Sequence, residues 1–112
     1  MPLFESIPID VDEVRRLLAE HWSLELADCL KVSQNHTYRA TNKQGDRFIL
    51  RVTPDPLQTR LDTIELEVQL LDFLSAHHLP VCRAIPSALT SKSVVSPQSL
   101  HLCLFEHGRG ER

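Results

Sequence analysis

Glycine, cysteine and aromatic residues are all scarce in this sequence. The 112 residues include three glycines and three cysteines, and aromatic residues make up 5% of the chain. Cys29, Cys82 and Cys103 are odd in number, far apart and without a C-x-x-C pair, which argues against both a disulfide framework and a zinc site. We expect all three to be buried free thiols, the usual state of an unpaired cysteine.

A large excess of charge and a long apolar run are also missing. The formal net charge is -3, so the chain lacks the basic surface of a nucleic-acid-binding protein. No run reaches the roughly eighteen apolar residues that cross a bilayer, and residues 1–6 lack a basic segment followed by an apolar one. The sequence therefore predicts a cytoplasmic protein with neither a nucleic-acid nor a membrane partner.

The length limits the number of domains. A chain of 112 residues, 42% hydrophobic and 24% charged, can build one core but not two. We expect a single domain over residues 1–112.

The centre of the predicted fold is a hairpin formed by residues 33–52. Its arms, 36–41 and 47–52, are rich in β-branched and aromatic residues, and a five-residue turn cluster containing Gly45 separates them. In the second arm, Arg51 lies between Leu50 and Val52, so a strand would project its side chain from the opposite face. The hairpin therefore presents a cation from the middle of a sheet.

Two amphipathic helices are predicted. The first can be capped by Asp10 or Asp12 and continues to about Trp22, and a strand over 23–32 follows it. The second helix, over about 61–76, begins after Pro54 and Pro56 have ended the hairpin strand. Its apolar residues recur at spacings of three and four, at Leu61, Ile64, Val68, Leu71 and Leu74.

The end of the second helix carries the pair His77 and His78. A cation suits the carbonyl end of a helix, and Pro80 stops it. Adjacent helical positions do not face one another, so we expect capping rather than metal binding.

Glu67 is the acidic residue of the second helix that is predicted to face the core. On a helical wheel it falls between Leu71 and Leu74, whereas Glu65 lies on the polar side. A buried carboxylate without a partner is costly, so we expect Glu67 to pair with a cation, and Arg51 is the natural candidate. The alternative is a glutamate on the rim of a slightly rotated helix.

The remaining strands are predicted within residues 83–105. A short strand over 83–89 is interrupted by Pro86, a Ser-rich turn follows, and a final strand covers 100–105. Because the hairpins are short and no βαβ repeat is present, we predict an α+β fold. It has a five-stranded, mostly antiparallel sheet with one packed helix, and an N-terminal helix.

Two of these segments resemble the nucleotide-binding N-terminal lobe of the aminoglycoside phosphotransferase and choline kinase-like family. They are residues 35–39 (Asn-His-Thr-Tyr-Arg) and 48–52 (Phe-Ile-Leu-Arg-Val), and segments 67–74 and 78–82 look like the family's helix and the turn after it. The resemblance implies a kinase-like lobe that binds ATP. In such a lobe a helix glutamate, here Glu67, directs a strand cation, here Arg51, at the phosphates.

The resemblance also implies further nucleotide contacts. Ser33 and Asn35 stand in the turn that is glycine-rich in protein kinases, although an ordinary polar hairpin turn would have the same composition. Glu106 and Gly108 stand where the family's hinge binds adenine, and the alternative is a glycine-containing terminus. The predicted cofactor-binding residues are therefore Ser33, Asn35, Arg51, Glu67, Glu106 and Gly108.

The family's catalytic motifs do not occur in these residues. There is no His-Gly-Asp or Asp-Phe-Gly sequence, and the His107-Gly108 pair is followed by Arg109. No catalytic residue or metal ligand can be assigned, and Mg2+ is expected only together with the larger C-terminal lobe of the family, which would also form most of the site for a small-molecule acceptor.

Two functions remain open from the sequence. The first is the nucleotide-binding lobe of a small-molecule kinase, inactive alone and prone to self-association through the uncovered face of its sheet. The second is a stand-alone, non-catalytic α+β binding module.

Overall fold

The fold combines two helices with one antiparallel sheet. A computed structural model describes residues 9–32, 35–56, 58–79, 83–96 and 100–106. Within these residues the elements follow in the order α1 (Val11–Trp22), β1 (Glu25–Val32), β2 (His36–Thr41), β3 (Arg47–Pro54), α2 (Leu61–Ala76) and β4 (Leu100–Glu106). The four strands lie in the order β1-β2-β3-β4. The α+β class, the antiparallel pairing of the strands and the residue bounds of both helices agree with the prediction.

The fifth strand predicted over residues 83–89 is not formed in the part of the chain that the structure describes. Ala84 makes one bridge to Phe105, and Val95 makes one bridge to Leu102. Pro86 lacks the amide hydrogen that a continued ladder needs, and the chain turns at residues 88–90 instead. The sheet therefore has four described strands, with two isolated bridges beside β4.

The hairpin of β2 and β3 has an uninterrupted register. The ladder runs from the pair His36 and Val52 to the pair Thr41 and Arg47. In the turn, Oδ1 of Asn42 accepts the amide N–H groups of Gln44 and Asp46 at 3.0 and 2.9 Å. Gly45 has a φ of +87°, a conformation that favours glycine.

The core lies mainly between α1 and one face of the sheet. Asp10 caps α1 by accepting the amide N–H groups of Asp12 and Glu13. The buried face of α1 then packs against the inward residues of β3 and β4, a cluster that includes Val14, Leu17, Leu18, Leu50, Val52, Leu102 and Leu104. The alternation of strand side chains leaves Arg51 on the other face, as predicted.

The second helix covers the Arg51 face of the sheet. Ile64 and Val68 of α2 form a smaller core cluster with Ala84 and Cys103. At its end, Nδ1 of His77 donates to the carbonyl oxygen of Phe73 at 2.9 Å, which confirms the predicted capping. Neither helix of the described residues has both the length and the apolar content of a membrane span.

The cysteines differ from one another in burial. Cys103 is buried as predicted, Cys29 is exposed, and Cys82 lies outside the described residues. The prediction was wrong for Cys29 because β1 is an edge strand whose residues are mostly exposed on both faces. A free thiol is buried only where other residues pack over its own face of the strand, and few residues pack over either face of β1.

Candidate functional site

Arg51 and Glu67 form a two-point ion pair between β3 and α2. Nη1 of Arg51 donates to Oε2 of Glu67 and Nη2 donates to Oε1, each at 3.0 Å. Strand alternation places the guanidinium on the face that α2 covers, and the helix presents its carboxylate there. The contact predicted from the sequence is formed, and Glu65 is exposed to solvent as predicted.

The pair is only partly buried. The side chain of Arg51 is 23% exposed and that of Glu67 is 46% exposed. The prediction that Glu67 lies inside the apolar face was therefore wrong, and it lies on the rim. The reason is that α2 packs through Ile64 and Val68, whereas Leu74, which extended the apolar arc towards Glu67 on the wheel, is only half-buried.

Two residues of β4 surround the guanidinium. The ring centroid of Phe105 lies 5.2 Å from Cζ of Arg51, within cation–π range. Cys103 is directly opposite Arg51 in the ladder. Burial raises the pKa of the Cys103 thiol to about 11 in spite of the nearby positive charge of Arg51. The thiol is therefore protonated at neutral pH and is not a nucleophile.

The strength of the ion pair can be measured by a double-mutant cycle with Arg51→Gln and Glu67→Gln. We expect a coupling of about 0.5–1 kcal/mol in the free energy of unfolding, because the pair is bidentate but half exposed to screening solvent. Urea unfolding at fixed ionic strength provides the measurement. Glu65→Gln in the same helix is the control, with no expected coupling to Arg51→Gln. A coupling near zero for Glu67, or one equal for Glu65, contradicts the assignment.

A buried carboxylate, Asp55, ties the end of β3 to α2 and β4. Asp55 is 2% exposed and follows the last residue of β3. Its carboxylate accepts the amide N–H groups of Thr59 and Arg60, both at 2.9 Å, and Nε2 of His101 at 2.8 Å. Nδ1 of His101 lies 2.8 Å from the hydroxyl of Ser96. The network therefore holds the start of α2 beside the strand that carries Arg51.

The hydrogen bonds keep Asp55 ionised. Burial alone raises the pKa of a carboxyl group, but the N–H groups of Arg60 and Thr59 and the ring of His101 together lower the pKa of Asp55 to about 2. Nε2 of His101 donates to the carboxylate, and Nδ1 lies beside the hydroxyl of Ser96. Both carboxylate oxygens and both ring nitrogens of the network therefore have hydrogen-bond partners.

Sequence reasoning missed this network. Asp55 lies five residues before Arg60, too far for an ordinary N-cap, and 46 residues before His101. The one local signal is an aspartate between Pro54 and Pro56 ahead of a helix that has no side-chain cap of its own. Such a helix needs an acceptor from elsewhere for its first amide groups.

The other predicted nucleotide-binding residues are placed only in part. Asn35 immediately precedes β2, and its Oδ1 is buried without a hydrogen-bond partner among the described residues. It stands two residues before Thr37, which is opposite Arg51, or roughly 7 Å along the strand. Glu106 is the exposed last residue of β4, three positions beyond the Arg51 level. Ser33 and Gly108 lie outside the described residues.

No metal site is evident in the described ranges. A search of their His, Cys, Asp and Glu side chains finds no group of three or more that could hold an ion. Among the predicted nucleotide-binding residues that the structure describes, the groups available are the Arg51–Glu67 pair, the side-chain amide of Asn35 and Glu106 at the end of β4.

The fold and the ion pair can be compared with known proteins. Residues 30–111 match the model of the phosphotransferase enzyme family, APH. A solved structure of similar fold is the amicoumacin kinase hAmiN in complex with AMP-PNP, Ca2+ and Ami, with a TM-score of 0.80 and 23% identity over 91% of this chain and 32% of that one. Another is the microcompartment-associated aminopropanol kinase, with a TM-score of 0.69 and 24% identity over 88% of this chain and 31% of that one. A search of the curated proteins gives no match.

These similarities carry different weight. The chain spans about a third of the length of the two kinases, and their low identity establishes the fold alone. The family match covers most of the sequence, including β2, β3, α2 and β4. On that match, the chain belongs to the phosphotransferase enzyme family.

Proposed function

We propose that this chain is the nucleotide-binding N-terminal lobe of an ATP-dependent kinase that transfers the γ-phosphate to an alcohol group of a small molecule. The observation that carries the proposal is the Arg51–Glu67 ion pair. A basic residue on a central strand, held by a glutamate of the packed helix, is the arrangement by which kinases position nucleotide phosphates.

The surroundings of Arg51 suit this role. A guanidinium has five N–H donors, and Glu67 takes two of them. Phosphate oxygens can accept from the remaining donors, and the planar group favours such contacts. The ring of Phe105 contacts the guanidinium, and the Asp55 network joins the end of β3 to the start of α2, so the two elements that carry the ion pair are tied together.

The remaining contacts of ATP are assigned to both ends of the sheet. Ser33 and Asn35, between β1 and β2, would bind the phosphates through their side chains and backbone. The backbone after β4, at Glu106 and Gly108, would bind the adenine ring. Of these residues, Asn35 precedes β2 and Glu106 ends β4, on opposite sides of the Arg51 level along the strands, which is the order that an extended nucleotide would require.

The catalytic chemistry is assigned to a second lobe. Phosphoryl transfer depends on metal ions that neutralise the developing charge and on a residue that orients the acceptor hydroxyl. In the proposed enzyme the single domain of residues 1–112 supplies the nucleotide site, and Mg2+ and the acceptor bind with the second lobe. The enzyme is proposed to act in the cytoplasm.

The first test uses the 112-residue chain. We expect it to bind ATP weakly, with a dissociation constant of about 1 mM or more, or not at all, because one lobe leaves the nucleotide open on one side. Amide shifts of 15N-labelled chain during ATP titration report binding around β3 and β4, and a radiolabel assay with Mg2+ reports transfer. We expect no transfer to sugar, amino-alcohol or amino-acid acceptors.

The second observation separates the kinase lobe from a non-catalytic module. The genomic or transcript sequence downstream of the Arg112 codon is expected to encode the two aspartate loops of the family. Phosphate transfer by the 112-residue chain alone contradicts the proposed division of labour. A downstream sequence without aspartate loops favours the binding module.

We also propose that the isolated chain self-associates, through an apolar surface on α2 in addition to the uncovered face of the sheet expected from the sequence. Three large apolar side chains, Leu66, Leu70 and Phe73, are 65%, 54% and 58% exposed on the outer side of α2. Contiguous exposed apolar groups mark surfaces that associate with other surfaces. Sedimentation velocity is expected to show a weight-average mass that rises with concentration, and the rise should be smaller for Leu70→Ser. A mass of 12.8 kDa at all concentrations would contradict this expectation.

A further inference from the structure

Lys31 stands in the same cross-strand row as Arg51. In the ladders of the sheet, Lys31 is opposite Thr37, Thr37 is opposite Arg51, and Arg51 is opposite Cys103. Residues directly opposite one another in antiparallel strands project from the same face. Two cations, separated by the short side chain of Thr37, therefore project from the face that carries α2.

The spacing of the two cations suits one shared anion. Neighbouring strands lie about 4.8 Å apart, so the Cα atoms of Lys31 and Arg51, two strands apart, are separated by roughly 10 Å. The Arg51 guanidinium is held beside Glu67 and Phe105, and the long side chain of Lys31 can reach towards it across Thr37. A compact monoanion would need one of them, whereas a polyphosphate chain can engage both.

Lys31 is not committed to another charge within the described residues. It is exposed and takes part in none of the ion pairs found there. Arg39, on the same face of β2, donates to Asp28 at 2.9 Å and is thereby engaged. The other two lysines of the chain, Lys43 and Lys92, lie in a turn and a loop rather than in the sheet.

The sequence that follows Lys31 indicates a phosphate group as the ligand of this side chain. Protein kinases cover the phosphates with backbone amide groups of a glycine-rich turn, and residues 32–35 contain no glycine. A lysine side chain can supply a mobile, charged donor at the same place. We propose that Lys31 is a second phosphate-binding cation, which together with Arg51 holds the polyphosphate chain of a nucleoside triphosphate across Thr37. This inference rests on the proposed function.

If Lys31 served only to prevent association between molecules, rather than to bind phosphate, a different result would be expected. Lysine on an edge strand such as β1 discourages edge-to-edge pairing between molecules. In that role its replacement would raise self-association and leave the affinity for phosphate unchanged. Affinity and association state are therefore measured on the same samples.

The experiment compares Lys31→Gln with Lys43→Gln in the 112-residue chain. Both variants lose one positive charge, but Lys43 lies in the β2–β3 turn, at the far end of β2 from Thr37. Dissociation constants for ATP, inorganic tripolyphosphate and adenosine are measured by amide shifts at one low ionic strength. Arg51→Gln serves as the reference for the proposed function, and sedimentation velocity reports association.

The outcomes distinguish the two proposals. We expect Lys31→Gln to weaken ATP and tripolyphosphate about two- to five-fold, as for a single exposed ion contact, with the affinity for adenosine unchanged. The difference should shrink when salt is raised, because exposed charges are screened. Equal affinities of Lys31→Gln and the wild type, with Arg51→Gln weakened, overturn the role of Lys31 and leave the proposed function standing. Wild-type binding to none of the three probes overturns the role of Lys31, whereas the proposed function is decided by the sequence downstream of the Arg112 codon.

Discussion

Replacing Leu50 by alanine is expected to lower the free energy of unfolding by about 2–5 kcal/mol, the range found for large-to-small changes at buried sites. Leu50 is fully buried and belongs to the cluster between α1 and the sheet. The loss combines the transfer free energy of the removed methyl groups with the free-energy cost of the cavity. The cavity persists because the side chains packed around Leu50 relax only partly into it. Urea unfolding followed by circular dichroism measures it.

The matched control for this substitution is Leu89→Ala. Leu89 is 65% exposed in the turn after Ser87, so the same chemical change should alter the free energy of unfolding by no more than about 0.5 kcal/mol. Equal effects of the two substitutions would show that Leu50 is not in a packed core. Since Leu50 is adjacent to Arg51, that result would also mean that β3 does not hold Arg51 in a fixed position for the ion pair.

Asp55→Ala is expected to destabilise the chain more than Glu67→Gln, although both remove one carboxylate. The substitution leaves the amide N–H groups of Thr59 and Arg60 and the Nε2–H of His101 without their acceptor in a buried setting. Glu67, by contrast, is partly hydrated and can lose its partner at lower cost. The urea midpoints of the two variants at pH 7 provide the comparison.

The free energy of unfolding is also expected to depend on pH through Asp55. The pKa of Asp55 is lowered to about 2 in the folded chain, below its value in the unfolded chain, so ionised Asp55 favours folding. This contribution is fully present above about pH 4 and is lost as the pH falls through 4 towards 2. The variant Asp55→Ala should therefore lose stability less steeply than the wild type over that interval.

Asp62→Ala is the control for the pH experiment. Asp62 is exposed in the first turn of α2, where an acidic residue gains only from the helix dipole. Its replacement should leave the acid slope close to that of the wild type. If Asp62→Ala and Asp55→Ala flatten the curve equally, the buried network does not account for the acid sensitivity of the fold.

Leu50 and Asp55 support the two elements that bring Arg51 and Glu67 together. Leu50 fixes β3 against α1, and Asp55 fixes the start of α2 beside β3 and β4. Arg51 and Glu67 meet because both of their elements are fixed in this way. In the proposed kinase lobe, loosening either support would disturb the orientation of the Arg51 guanidinium towards the phosphates, although its positive charge would remain.

The sequence by itself determined those features that depend on local spacing. Helix α2 was predicted over the residues it occupies because its apolar residues recur at helical intervals and two prolines precede it. Arg51 was assigned to the face opposite Leu50 because alternation in a strand has a period of two. The choice of Arg51 as the partner of Glu67 followed from these two patterns together with the cost of an unpaired carboxylate.

Only the tertiary structure decided the features that depend on what covers each element. Glu67 lies on the rim because α2 meets the sheet through Ile64 and Val68, and a wheel cannot indicate where along a helix the contact is made. Cys29 is exposed because β1 is an edge strand, which is a property of strand order. Asp55 is buried and ionised because it accepts the amide N–H groups of Arg60 and Thr59 and the ring N–H of His101, which is far away in sequence. Local patterns determine which side chains share a face, whereas burial and long-range hydrogen bonds depend on which other segments that face meets.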